Sequence, residues 1–154
     1  MQRYGAGLLA AASLFAAVAD DTLAAGMDRT AVTLSYFEIP VSDMDRAMSF
    51  YSAVFGIDLA RTTIDGYEMA LFPEGAPNGA PNGALAKGDV YVPGKAGPVI
   101  YFHTPDIDGT IKRAVANGGS VLLQKQSVDD FGFVAEFEDS EGNRIALHEP
   151  LKTE

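Results

Sequence analysis

Phe37-Glu38-Ile39-Pro40-Val41-Ser42-Asp43-Met44-Asp45-Arg46-Ala47-Met48-Ser49-Phe50-Tyr51 changes its hydrophobic period part-way along, from that of a strand to that of a helix. Thr33 to Val41 is extended in type. Ser42-Asp43-Met44-Asp45 then reads as a helix start, because Ser42 can cap, Asp45 stands three residues on, and the acids lie where the helix dipole favours them. Apolar residues at Met44, Ala47, Met48, Tyr51, Val54 and Phe55 form a helical stripe that Gly56 ends. Three strand-like runs follow, Ile57 to Ile64, Tyr67 to Phe72 and Gly83 to Val92, so that the order is βαβββ.

Between the last two runs, Ala76-Pro77-Asn78-Gly79 and Ala80-Pro81-Asn82-Gly83 impose turns and mark a loop over Pro73 to Asn82. Pro93 to Pro98 is a second Pro/Gly-rich stretch and reads as a connector. Beyond it the pattern starts again. Val99 to Thr104 is a strand, and Pro105-Asp106-Ile107-Asp108 opens a helix with Pro at its first position and Ile107, Ile111, Ala114 and Val115 on its buried face. Asn117-Gly118-Gly119 stops it. Ser120 to Ser127, Phe133 to Glu138 and Arg144 to Glu149 are three more strands, the last two joined by the turn Asp139-Ser140-Glu141-Gly142-Asn143. Asp43 then matches Asp106, Met44 matches Ile107, Asp45 matches Asp108 and Gly56 matches Gly119, all at one interval.

The chain has 154 residues and no cysteine, which leaves no disulfide framework and no thiolate nucleophile or metal ligand. Its 11 Lys plus Arg against 21 Asp plus Glu give a net charge of −10, which argues against a nucleic-acid partner, since phosphate neutralisation needs a basic face. Residues 1–29 differ from the rest. A short basic start, the apolar run Leu8 to Val18 and the small residues Ala17-Val18-Ala19 read as an export signal, as a retained N-terminal helix, or as sequence ahead of a start at Met27. The run is too short and Ala-rich for a membrane span. The expected location is cytoplasmic, with export the alternative if residues 1–19 are a signal, and the folded domain is expected over residues 30–150, its modules over about 33–92 and 98–150.

Three segments carry a family resemblance: Phe37 to Gly56, Val99 to Gly119, and the hairpin Phe137-Glu138-Asp139-Ser140-Glu141-Gly142-Asn143-Arg144-Ile145. Together they resemble the vicinal oxygen chelate superfamily, which includes glyoxalase, bleomycin-resistance and dioxygenase-like proteins. The resemblance implies an α+β fold in which two βαβββ modules form a curved-sheet cup, and it implies a homodimer. Enzymes of the family hold one divalent metal in the cup through His, Glu or Gln, one ligand in the first and one in the last strand of each module. Carried over, the first-strand positions fall on Tyr36 and Val99, and the last-strand position of the second module falls on Ala146. Its counterpart should lie within Gly83 to Val92, where Asp89 is the one side chain of a suitable type. Val99 and Ala146 have no donor atom, and Tyr36 is a poor substitute for His. No cofactor is expected in the usual position.

Strand alternation places Tyr36 with Glu38, Val99 with Tyr101 and His103, and Ala146 with Arg144 and His148. Tyr36, Glu38, Tyr101, His103, Arg144 and His148 are therefore the candidate ligand-binding residues, with Phe131 and Phe133 on the approach. A displaced metal set of Glu38, His103 and His148 is the alternative. The bland readings are that the two histidines are rim or hydrogen-bonded residues, that the tyrosines fill the cup, and that Arg144 pairs at the surface with Glu141 or Glu38. No Gly-x-Ser-x-Gly elbow or phosphate loop is present.

The expected function is binding of a small aromatic or cationic molecule in the cup without metal chemistry, as the likeness to bleomycin-resistance proteins implies. The alternatives are a glyoxalase-like lyase or isomerase, using a displaced metal or Glu38 and His103 as acid and base, and a dimeric interaction module.

Overall fold

The computed structural model describes residues 34–75 and 82–152. The N-terminal run and most of the tandem Pro-Asn-Gly loop lie outside the described residues. A compact unit spans Leu34–Glu154.

The first module consists of β1 (Phe37–Pro40), α1 (Met44–Phe55), β2 (Ala60–Ile64), β3 (Tyr67–Leu71) and β4 (Gly83–Lys87). The second repeats it with β5 (Ile100–His103), α2 (Ile107–Ala116), β6 (Ser120–Val128), β7 (Gly132–Glu138) and β8 (Arg144–Glu149). Each makes a four-stranded sheet of the same order, β1-β4-β3-β2 and β5-β8-β7-β6, with the first and last strands of the module parallel and the remaining pairs antiparallel. The α+β fold of two βαβββ modules is thus as expected.

Local chemistry explains the helix ends, with two corrections. The cap of α1 is Asp43 rather than Ser42: its carboxylate accepts from the Arg46 amide at 3.0 Å, while the Ser42 hydroxyl is drawn away to Glu141. Asp106 caps α2 in the same way, accepting from Gly109 N at 2.9 Å, so Pro105 precedes the cap instead of occupying the first helical position. Gly56 closes α1 in the left-handed region at φ 67°, where a side chain would be strained.

Helices and sheets share one core. Ile39, Val41, Met44, Phe50, Tyr51 and Val54 of the first module are buried with Ile107, Ala114, Phe137, Ile145 and Leu147 of the second. On α2 the buried face includes Thr110, while Val115 is exposed. Thr110 is tolerated there because its hydroxyl bonds to the Asp106 carbonyl at 2.8 Å and to Thr104 at 3.0 Å.

Polar contacts lock the modules together. The Tyr51 hydroxyl donates to Asp139 at 2.7 Å in a buried bond, and Arg113 Nε donates to the Val54 carbonyl at 2.7 Å. The Asn143 amide donates to the Pro40 carbonyl at 2.8 Å and to Asp139 at 2.9 Å. These bonds fix the start of β8 against the end of β1, and a cavity opens beside that junction.

Candidate functional site

Side chains on β1 alternate. Phe37 and Ile39 point to the helices, and Glu38 lies on the opposite face. Glu38 stands beside Ala84 on β4, just as Tyr101 stands beside Ala146 on β8. This register settles a point the sequence left open. Because Glu38 and Tyr101 are equivalent in the repeat, the first-module counterpart of Ala146 is Ala84, which is fully buried. Asp89 does not occupy that position: β4 ends at Lys87, and Asp89 is exposed in the turn that follows. The strand expected over Gly83 to Val92 therefore covers only its first half.

From that turn the chain folds back as a strap. Tyr91 packs over Met69, Ala84 and Ala86, with its ring edge-on to Tyr67 at a centroid distance of 5.3 Å. Its hydroxyl donates to Glu38 Oε2 at 2.8 Å. The hydrogen bond to Glu38, then burial and the carboxylate charge, push the Tyr91 hydroxyl up to about 12, so it stays a neutral donor. Partial burial, then Glu38, also raises Tyr36.

Beyond Tyr91 the strap forms one wall of a cavity of about 840 Å³. Leu34, Phe37, Val92, Pro93, Pro98, Val99 and Ile100 make its walls largely apolar, and Glu38, Tyr101, Lys95, Asn143 and Arg144 supply the polar groups. Asn143 Oδ1 accepts from Gly94 N at 2.9 Å and holds the strap in place.

Of the six candidate residues, the cavity brings together Glu38, Tyr101 and Arg144, while Tyr36, His103 and His148 do not line it. Arg144 pairs with neither Glu141 nor Glu38. Its guanidinium takes Glu136 bidentately, at 2.7 and 2.6 Å, and this bond raises its pKa. Lys95 pairs with Glu138.

His148 stacks on Phe131 with ring centroids 4.1 Å apart and shares a 2.7 Å hydrogen bond with the Phe131 carbonyl. His103 is opposite His148 in the ladder and exposed. Phe133 is not on the approach to the cup. It shares its face with Ala135 and Phe137 and packs against the helical core.

Sequence reasoning missed Tyr91, Lys95, Asn143 and Glu136. The Gly88-Asp89 pair was the available signal for Tyr91, since it breaks a strand and starts a turn.

The metal site of the family does not fit these residues. Its four positions are held by Tyr36, Ala84, Val99 and Ala146, three of which carry no donor atom. The displaced set does not assemble either: among the described residues, no group of three or more His, Asp or Glu side chains is placed to hold a metal ion.

The family model for the Glyoxalase/Bleomycin resistance protein/Dioxygenase superfamily matches residues 33–147. The chain belongs to this superfamily. A "Glyoxylase-like domain-containing protein" from Didymella fabae is 33% identical over 121 residues, covering 74% of this chain and 91% of the relative. Among solved structures, a glyoxalase family protein from Bacillus cereus superposes with a TM-score of 0.61 at 20% identity, covering 82% of this chain and 99% of that one. TnmS3, an antibiotic binding protein from a Streptomyces species, superposes with a TM-score of 0.56 at 25% identity, covering 79% of this chain and 98% of that one. As a superfamily member, this chain keeps the two-module framework. Among the described residues, no helix is long and apolar enough to cross a membrane.

Proposed function

We propose that this chain binds a small organic molecule, aromatic or cationic, in the cavity beside β1, β5 and the strap, without using a divalent metal. The carrying observation is the cavity itself. A volume of about 840 Å³ suits a drug-sized molecule, and apolar walls with a few fixed polar groups are what such a ligand requires. Ala84, Val99 and Ala146 support the metal-independent part of the reading, since they leave nothing to hold the ion that the superfamily's enzymes use. The likeness to TnmS3, described as an antibiotic binding protein, points the same way.

The glyoxalase-like alternative gains no comparable support. Glu38 is engaged by Tyr91, and His103 lies off the cavity wall. The homodimer remains part of the proposal. Leu122, Val128 and Phe131 are exposed apolar residues of the second module, and light scattering on the purified chain reads the assembly state.

The test is a thermal-shift screen of chelator-treated protein against aromatic, cationic and anionic compounds. A ligand that binds only the folded state raises the Tm with concentration. Saturable stabilisation by an aromatic or cationic compound, with no turnover, is the expected result. Absence of any saturable ligand, or turnover that requires added metal, overturns the proposal.

A further inference from the structure

Resting on that reading of the cavity, we infer that the site selects organic cations, with Glu38 as the recognising charge and Tyr91 as the residue that positions it. The argument is one of charge balance. Arg144 is matched by the bidentate Glu136, and Lys95 by Glu138. Asn143 is neutral and already committed to Gly94 N and the Pro40 carbonyl. Glu38 is different. Among the described residues no cationic side chain pairs with it, and the bond it accepts comes from a neutral hydroxyl, that of Tyr91. Taken with these ion-pair partners, the polar lining therefore leaves one uncompensated negative charge, that of Glu38.

Glu38 is itself exposed, so its carboxylate is open to an incoming ligand, and the concave, largely apolar wall beside it focuses its field on a cation entering the cavity. The exposed ring of Tyr101 in the same wall adds a face on which an aromatic or alkylammonium cation can rest. An anion meets the opposite situation. Arg144 offers it only a compensated charge, because Glu136, almost fully buried, already neutralises the guanidinium through two bonds.

Tyr91 keeps Glu38 in place. Its ring is held against Tyr67 and over the Ala84 and Ala86 floor, so its hydroxyl reaches Glu38 from a fixed direction and leaves the other carboxylate oxygen for a ligand. Tyr91 also covers the cup face of the first module, which confines a ligand to the space beside Tyr101 and Arg144.

The test is isothermal titration with three probes on one aromatic frame: 1-naphthylmethylammonium, 1-naphthylmethanol and 1-naphthylacetate, at neutral pH and low salt. The expected order is cation, then neutral, then anion, with about a tenfold span from first to last. In Glu38→Gln the cation should lose its advantage over the alcohol to within about twofold. In Tyr91→Phe the cation's advantage over the alcohol should shrink by roughly threefold. Equal or better binding of the alcohol or acetate, or an unchanged order in Glu38→Gln, overturns cation selection and leaves the binding reading standing. Failure of all three probes to bind overturns both.

Discussion

Arg46 on the first helix and Glu141 in the last hairpin meet through two hydrogen bonds of 2.7 and 2.9 Å. The same carboxylate accepts from Ser42 N at 2.9 Å, the Ser42 hydroxyl at 2.7 Å and Asp43 N at 3.0 Å. One side chain of the second module thus satisfies the two amide groups, of Ser42 and Asp43, that lead into the first module's helix, next to the strand that carries Glu38.

A pH dependence follows from this network. Burial works against ionisation of Glu141, but the bonds from Arg46, Ser42 and Asp43 outweigh it and lower its pKa from 4.5 to about 2. The folded state therefore binds fewer protons than the unfolded one between those values. The stabilisation is complete above about pH 5 and is lost as pH falls through the range from 4.5 toward 2. Glu141→Gln should lower stability by about 1–2 kcal/mol at pH 7, after allowance for solvent screening, and by much less at pH 2.5. Urea titrations at both pH values measure the difference.

Tyr51→Phe removes the buried hydroxyl that donates to Asp139 at 2.7 Å. Asp139 keeps the bonds from Glu141 N, Asn143 N and the Asn143 amide, so the cost should be about 1–2 kcal/mol rather than a failure to fold. Chemical denaturation gives the value directly.

Gly132 opens β7 at φ 109°, and a Cβ there would lie 2.4 Å from the Glu149 carbonyl oxygen. Gly132→Ala therefore combines backbone strain with a backbone clash. A loss of about 2–4 kcal/mol, read as a lower Tm, is expected.

His103→Ala and His148→Ala should leave affinity for a cavity ligand within about twofold, because neither residue lines the cavity. His148→Ala should still cost about 1 kcal/mol of stability through the lost stack and hydrogen bond to Phe131. Titration calorimetry and thermal melts separate the two effects.

The framework was legible because it is written in short-range chemistry. The helix-start residues Asp43 and Asp106 repeat at one interval, although the sequence reads Ser42 as the first cap, and alternation places Glu38 and Tyr101 on one face. What was not legible depends on which distant groups meet. Arg144 reaches diagonally across the ladder to Glu136, and that pairing needs the β7–β8 register. Thr110 is buried instead of Val115 because Thr104 and Asp106 satisfy its hydroxyl, a condition invisible to a hydrophobic stripe. The counterpart of Ala146 was missed because reading the strand through Gly88 brought Asp89 into range, where the ladder selects Ala84.

Metal dependence of ligand binding tests the central claim most directly. The measurement is titration of 1-naphthylmethylammonium into the protein before and after exhaustive chelation, with metal content determined on both samples. The account predicts the same affinity in each, and no gain when Zn, Ni, Mn or Fe is added back. Binding that disappears on chelation and returns with a stoichiometric divalent metal would contradict it.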